Sequence, residues 1–291
     1  MVVKILDCTL RDGAYVVDSN FGAKVIKNII VKLSDSNIDI IECGWLRDLE
    51  ETPDSVIYNS PKSFKTPVEK KSLYALMFDY GRYNIDKIEP KEDTQIDIIR
   101  IAFYKKNLSE VYSVAKDILD KGYQVFLQPS NIIEYTERDL KYLCDISNQL
   151  DINAVYIVDT FGSMFPQDLN YFMEYFNKNL KDSITVGFHS HNNIQLSFAL
   201  SIEFISKMRR NIIVDSSLAG IGRGAGNTKT ELLLSYLIKQ GMKYKIAPIW
   251  SVLETDIAPI KTNSDWEYTP QKGFKGLHNL HPNTETILFN D

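Results

Sequence analysis

Short runs of apolar residues alternate along the chain with longer segments in which apolar side chains recur every three or four positions. The short runs are rich in valine and isoleucine, as in buried strands, and the longer segments have the period of amphipathic helices. Eight strands are predicted, over residues 3–8, 38–43, 73–78, 96–102, 124–128, 154–158, 185–188 and 212–215. This alternation of strands and helices predicts a parallel sheet covered by helices.

The clearest helical patterns cover residues 23–33, 108–119, 138–148, 167–177, 194–206 and 228–240. Between the second and third strands, Pro53, Pro61 and Pro67 interrupt any long helix, because proline lacks a backbone N–H and clashes with the preceding turn. The next connection also has no clear helical period. The second and third crossovers are therefore predicted to be rich in loops.

The regular alternation ends after Gln240. A helix is predicted over residues 246–260, followed by an irregular tail that contains Trp266, Tyr268, His278 and His281. We therefore expect one barrel domain over residues 1–240, with residues 241–291 forming a C-terminal helical and irregular extension that packs on it and is no separate domain.

Polar residues lie at or just after the predicted strand ends throughout the chain, namely Asp12, Glu42, Gln128, Asp159, His189 and Asp215. Eight parallel strands could form an open doubly wound sheet or a closed barrel. In a closed barrel the carboxyl ends of all strands meet at one mouth, where barrel enzymes have their active sites. The pattern thus favours a (β/α)₈ TIM barrel, and a length of 291 residues suits such a barrel as a single domain.

Composition narrows the class of protein. An apolar fraction of 44 % and a charged fraction of 24 % are typical of a soluble protein, and no apolar run approaches the roughly 18 residues that a membrane span needs. Three widely spaced cysteines, and a start without a secretory pattern, indicate a cytoplasmic protein with reduced thiols. A net charge of −5 argues against nucleic acid and anionic membranes as partners, and the basic stretch from Lys62 to Lys71 is interpreted as a solvated loop.

Two of the four histidines lie at one strand end, as His189 and His191. Alternate strand residues point the same way, so both imidazoles can reach one metal ion, although a polar loop could also contain such a pair. Asp12 follows the first strand and could equally form a salt bridge with Arg11. The first and seventh strands are separated by only the eighth, so Asp12 can meet both histidines and leave coordination positions open for catalysis.

A glycine-rich loop, from Gly220 to Asn227, lies between the last strand and a helix. It is a poor dinucleotide fingerprint, because no acidic residue follows at about 20 positions and too little chain remains for the rest of that fold. The alternating glycines instead indicate a loop whose backbone approaches a ligand closely. Asn227 could cap the following helix or turn towards the metal, and the sequence leaves both open.

Four motifs resemble those of the DRE-TIM metallolyases, the HMGL-like family, and occur in the family's order. They are the run from Asp7 to Gly13, the run from Ile41 to Gly44, the run from His189 to Asn193, and the run from Gly224 to Asn227. Within the family the chain is most similar to the catalytic domains of the 4-hydroxy-2-oxovalerate aldolases. The resemblance spans most of the chain, from Asp7 to Asn227.

The resemblance implies a role for each matching residue. Arg11 would stabilise negative charge on an enolate, and Glu42 would orient Arg11. Asp12, His189, His191 and Asn227 would hold a divalent ion. Manganese or magnesium suits such nitrogen and oxygen ligands, and zinc or cobalt is also compatible with them.

Two departures from the aldolase pattern matter. Tyr15 stands where those aldolases have a histidine base, so the proton-transfer residue is left open between Tyr15, metal-bound hydroxide and a tail residue such as Tyr268 or His281. The chain also looks too short for the C-terminal domain that docks a dehydrogenase, so we expect no such partner domain. A homo-oligomer is compatible with the sequence.

The expected activity is a reversible aldol reaction between a 2-oxo acid, such as pyruvate, and an aldehyde, through a metal-stabilised enolate. Two alternatives use the same barrel. One is a Claisen-type synthase that joins an acyl-CoA to a 2-oxo acid, and the other is a catalytically silent barrel that keeps the metal and serves as an interaction subunit.

Overall fold

The computed structural model describes residues 1–66 and 69–285, and within this range eight parallel strands close into a barrel with helices around it. The strands are β1 (Val3–Asp7), β2 (Ile40–Leu46), β3 (Leu73–Asp79), β4 (Ile98–Tyr104), β5 (Gln124–Ser130), β6 (Ala154–Asp159), β7 (Thr185–Ser190) and β8 (Ile212–Ser216). β1 pairs with β2 on one side and with β8 on the other, so the ring has no open edge. The predicted TIM barrel is confirmed.

Long helices follow β1 and each strand from β4 to β8. They cover Ala23–Asp35, Val111–Asp120, Glu137–Leu150, Pro166–Asn179, Ser197–Lys207 and Thr230–Lys239, close to the predicted ranges. In the described residues, the connections after β2 and β3 contain short 3₁₀ turns and no long helix. The connection after β2 also contains a two-residue strand, Ile57–Tyr58, that pairs with β2. The predicted loop-rich character of these crossovers is confirmed, although Pro67 lies outside the described residues.

An apolar cluster fills much of the barrel interior. Alternate strand residues point inwards, and the cluster consists of Leu6, Cys8, Ile40, Ala75, Ile98, Phe126, Ala154, Tyr156, Val158 and Ile213. The ring of Tyr156 fills the space beside Gly187 of β7, where an added Cβ would lie 2.3 Å from the ring. The guanidinium of Arg100 lies 4.7 Å from the centre of the same ring, so Tyr156 contacts this buried charge as well as the apolar cluster.

The C-terminal extension differs in part from its prediction. The predicted helix is present as Ala247–Val252, a π-helical turn Leu253–Ile257, and Ala258–Asn263. The tail was predicted to be irregular, which is wrong, because a further helix covers Pro270–Leu277. The hydroxyl of Thr269 accepts a hydrogen bond from the backbone N–H of Lys272 and caps this helix, whereas two glycines within it weaken its helical signal in the sequence. Residues 286–291 lie outside the described residues.

This extension packs against the loops at the barrel mouth. The indole N–H of Trp266 donates to the carbonyl oxygen of Ala219 at 3.0 Å. Gly276 lies so close to Gly162 and Asn193 that an added Cβ would be 3.0 Å or less from both. The extension therefore brings its own side chains to the mouth, while the division of the chain at residue 240 stays a prediction. No helix in the described part of the chain is both long and apolar enough to cross a bilayer.

Candidate metal centre

Asp12, His189 and His191 are buried together where the strands open into the barrel mouth. Asp12 lies in the turn that follows β1, whereas His189 ends the inward-facing row of β7 and His191 comes just after that strand. The Oδ2 atom of Asp12 is 3.4 Å from Nε2 of His191 and 3.9 Å from Nε2 of His189. The structure therefore brings the three predicted ligands to one point.

Both imidazoles are oriented by hydrogen bonds on the side away from Asp12. Nδ1 of His189 lies 3.0 Å from Oδ2 of Asp215, and Nδ1 of His191 lies 3.2 Å from the backbone oxygen of Asp159. Because both partners are acceptors, each Nδ1 carries the proton and each Nε2 keeps its lone pair. Nε2 of His191 is buried and has no hydrogen-bond partner among the described residues. Such an orphaned acceptor fits a cation ligand.

Charges around the centre favour the protonation states that a metal ion requires. Burial opposes ionisation of Asp12, but the pKa of this carboxyl lies well below its usual range, and the charge of Arg11 is the largest of the causes that lower it. Burial lowers the pKa of His189, which keeps its ring neutral, and the hydrogen bond that its Nδ1–H donates to Asp215 offsets only part of that effect. An ionised carboxylate beside two imidazoles is a donor set for a divalent ion.

Asn227 does not cap the following helix, because that helix begins at Thr230 with Lys229 as its N-cap. Its side-chain amide instead lies at the candidate metal centre, with Nδ2 2.5 Å from Oδ2 of Asp12. Oδ1 of Asn227 is buried and has no hydrogen-bond partner within the described residues. Since a rotation of the amide exchanges its oxygen and nitrogen, Asn227 can present an acceptor to an ion at this place.

Gly222 leaves the space that this arrangement occupies. An added Cβ would lie 2.3 Å from Nδ2 of Asn227 and 2.8 Å from Oδ2 of Asp12, and no positive φ is present to strain the substitution otherwise. We expect Gly222→Ala to push both side chains out of place and to weaken metal binding at least about tenfold, with the barrel still folded. Calorimetric titration with manganese, alongside the unfolding temperature, measures both effects. Wild-type affinity would show that neither side chain needs this position.

Arg11 and Glu42 form a buried ion pair beside the candidate ligands. Nε of Arg11 donates to Oε2 of Glu42 at 2.7 Å, and Nη1 donates to Oδ1 of Asp12 at 2.8 Å. Burial alone would lower the pKa of Arg11, but the two carboxylates raise it well above its usual value. The guanidinium is therefore a fixed positive charge, and its Nη2 takes part in neither pair.

Sequence reasoning missed Arg100, which is fully buried inside the barrel. Nη1 lies 2.7 Å from Oε2 of Glu42, and Nη2 lies 2.5 Å from Oδ2 of Asp215. Arg100 thus links the carboxylate that holds Arg11 to the carboxylate that orients His189. The available signal was an arginine at an inward-facing position of an otherwise apolar strand, Ile98 to Ala102.

Tyr15 and His281 both line the mouth, whereas Tyr268 is not among the residues that do. Tyr15 is 48 % exposed, yet desolvation by its protein surroundings and the charges of Asp79 and Asp12 raise the pKa of its phenol to about 12. Burial and nearby cations lower the pKa of His281, so its imidazole is neutral near pH 7. Of the tail residues considered, His281 therefore reaches the mouth.

The mouth encloses about 1110 Å³, and the three candidate ligands, Arg11 and Tyr15 all line it. A fixed cation beside a buried site for a second cation stabilises a substrate on which negative charge develops. This arrangement suits enolate chemistry next to a carbonyl.

Sequence comparisons identify a family for this chain. The family model described as HMGL-like matches residues 98–255, more than half of the chain. A 4-hydroxy-2-oxovalerate aldolase from Geobacillus genomosp. 3 is 27 % identical over 83 % of this chain and 72 % of its own length. An oxaloacetate decarboxylase from Mycobacterium tuberculosis is 24 % identical over 81 % of this chain and 70 % of its own length.

Solved structures agree on the fold. The N-terminal domain of a Bacteroides vulgatus protein assigned to the aldolases superposes with a TM-score of 0.79 at 26 % identity, covering 96 % of this chain and 94 % of that one. An HMG-CoA lyase from Bacillus subtilis superposes with a TM-score of 0.68 at 16 % identity, covering 92 % and 95 % of the two chains. The superposition on the HMG-CoA lyase, at 16 % identity, shows only that the two proteins share the barrel fold.

Proposed function

This chain belongs to the HMGL-like family, and on that premise we propose that it is a divalent-metal-dependent carbon–carbon lyase of the aldolase type. Its substrates are a 2-oxo acid, such as pyruvate, and an aldehyde, and the reaction is reversible. The observation that carries the proposal is the meeting of Asp12 with the Nε2 atoms of His189 and His191, directly beside Arg11.

We propose that manganese or magnesium is held by Asp12, His189 and His191, with Asn227 as a further ligand. The set contains nitrogen and oxygen donors without thiolate, which suits these ions and also accommodates zinc or cobalt. A divalent ion bound there supplies Lewis-acid polarisation of the substrate carbonyl. The neutral imidazole of His189 and the ionised carboxylate of Asp12 support this assignment.

Arg11 is proposed to stabilise the enolate. Its Nε and Nη1 are occupied by Glu42 and Asp12, which fixes the guanidinium plane and leaves Nη2 for the oxygen on which charge develops. A preorganised donor of this kind contributes roughly 2.7 to 4 kcal/mol to transition-state stability. Glu42 acts through Arg11, and Arg100 holds Glu42 from the other side.

Tyr15 is proposed to carry the proton of the substrate alcohol. With a pKa of about 12 its phenol stays protonated near neutral pH, so it can donate to the alkoxide that forms when the carbon–carbon bond is made. His281 is the alternative carrier, since its neutral imidazole lines the same mouth.

Replacing Tyr15 by phenylalanine separates these two carriers. The substitution keeps the ring that packs edge-on against Trp45 but removes the hydroxyl, so the chemical step should slow about 100-fold with metal content unchanged. Single-turnover kinetics and metal analysis measure the two quantities. Tyr15→His, which introduces a group that titrates near neutral pH, should shift the pH dependence of turnover. If both variants keep the wild-type pH profile and rate, Tyr15 is not the carrier.

A substrate panel tests the proposed activity itself. Purified protein with manganese or magnesium is given pyruvate with a series of aldehydes, then oxaloacetate alone, then acetyl-CoA with 2-oxo acids. The proposal requires metal-dependent product from pyruvate and an aldehyde. Product formed only when acetyl-CoA is combined with a 2-oxo acid would favour the Claisen-type reaction. The absence of product with every combination would favour a silent barrel.

A further inference from the structure

The outer part of the mouth is lined by Lys272, which pairs with Asp265, and by four further cationic side chains, Arg82, Lys106, Arg223 and Lys275, which we call the basic rim. Each comes from a different segment of the fold. Arg82 follows β3, Lys106 follows β4, Arg223 lies in the glycine-rich loop after β8, and Lys275 lies in the helix Pro270–Leu277. The extension therefore completes a ring of charge begun by the barrel loops.

Three of these charges, those of Arg223, Lys275 and Arg82, act on one side chain, His281. Nη2 of Arg223 is in hydrogen-bond contact with Nε2 of His281. After burial, the charges of Arg223, Lys275 and Arg82 are the causes that lower the pKa of this imidazole. A positive potential strong enough to disfavour a further proton favours a bound anion instead.

The carboxylates that line the mouth do not neutralise the basic rim. Asp12 pairs with Arg11, Asp79 pairs with Arg47 at 2.8 Å, and Asp265 pairs with Lys272 at 3.2 Å. Arg82 comes only within 3.8 Å of the already paired Asp79.

The other three rim cations have no acidic partner. Across residues 1–66 and 69–285, no ion pair includes Lys106, Arg223 or Lys275. The amine of Lys275 donates to the carbonyl oxygen of Pro282 at 2.5 Å, which positions its charge without cancelling it.

We propose that the basic rim binds an anionic group on the aldehyde, so that the substrate is an aldehyde bearing a phosphate ester or a carboxylate. This inference rests on the proposed aldolase function. A volume of about 1110 Å³ exceeds the roughly 300–1,000 Å³ typical of ligand pockets and is far more than pyruvate and a small neutral aldehyde need. Several converging Arg and Lys donors are the arrangement that recognises phosphate and carboxylate.

The test compares charged and uncharged aldehydes of similar size. With pyruvate and metal present, two ratios of kcat/KM are measured, that of glyceraldehyde 3-phosphate to glyceraldehyde and that of succinic semialdehyde to butanal. The first ratio reports recognition of a phosphate and the second reports recognition of a carboxylate. We expect one of these ratios to exceed about 10 and to fall at least tenfold in Lys106→Met and in Arg223→Met. Lys106 is exposed, so its variant should fold. Lys116→Met, at an exposed lysine outside the mouth, should leave the ratio unchanged.

Binding of inorganic phosphate to the metal-loaded protein keeps the two proposals distinguishable. If the affinity for inorganic phosphate falls at least tenfold in both rim variants but not in Lys116→Met, the basic rim is supported. This holds even if no aldehyde is turned over and the aldolase proposal fails. Equal kcat/KM for charged and uncharged aldehydes, with rim variants like wild type, would overturn the basic rim and leave the aldolase proposal standing. Turnover with acetyl-CoA in place of an aldehyde would overturn the aldolase proposal and the assignment of the bound anion to an aldehyde.

Discussion

We expect chelation of the divalent ion to abolish carbon–carbon bond formation and cleavage, and manganese or magnesium to restore them. The reason is that Asp12, His189 and His191 surround a position where, in the described residues, Nε2 of His191 has no protein partner. Without the ion, the oxygen on which negative charge develops keeps Arg11 but loses the second cation beside it. Initial rates before and after chelation, with metal content measured on the same samples, test this expectation.

His189→Ala should lose metal and activity together, because it removes one of the imidazole ligands. His278→Ala is the matched control, since His278 is exposed and stacks on Phe274 outside the mouth. The control should keep wild-type metal content and rate. Full turnover in a metal-free sample, or in His189→Ala, would refute the assignment of the centre.

Arg11→Ala separates charge stabilisation from metal binding. The substitution removes the positive charge at the enolate oxygen but leaves all proposed ligands, so turnover should fall about 100- to 1,000-fold with metal content near normal. Glu42 keeps its ion pair with Arg100, so the barrel retains a partner for this buried carboxylate. Turnover kinetics, metal analysis and the unfolding temperature are measured together.

Arg138→Ala provides the control for a lost arginine, because Arg138 is exposed on the helix Glu137–Leu150 and does not line the mouth. It should behave as wild type in all three measurements. If Arg11→Ala lost its metal together with its activity, Arg11 would be a support of the metal site and no separate role at the enolate would be needed. A wild-type rate would exclude the enolate role altogether.

The barrel was predictable because its signals are local. Valine- and isoleucine-rich runs mark each strand, and the polar residues that follow them converge once the ring closes. The convergence of the strand ends was enough to predict that Asp12 meets His189 and His191. The absence of a helical pattern after β2 is also a local signal, because the prolines in that connection interrupt any helix.

Contacts between distant segments were not predictable in this way. Arg100 and Asp215 are 115 positions apart, and their pairing depends on which strand residues share a layer inside the barrel. The helix Pro270–Leu277 contains two glycines that weaken its intrinsic propensity, and one of them, Gly276, lets it approach Gly162 and Asn193 closely. Its place over the mouth, and the arrival of Lys275 and His281 there, follow from tertiary packing.

The most direct measurement of the central claim is the exchange of the pyruvate methyl hydrogens with deuterium, followed by proton NMR. Exchange reports formation of the enolate and needs no knowledge of the aldehyde. The account predicts exchange with metal-loaded wild type and with His278→Ala, about 100-fold slower exchange with Arg11→Ala, and none with metal-stripped protein or His189→Ala. Exchange at the wild-type rate in metal-stripped protein, or its absence from the metal-loaded wild type, would contradict a metal-dependent enolate at this site.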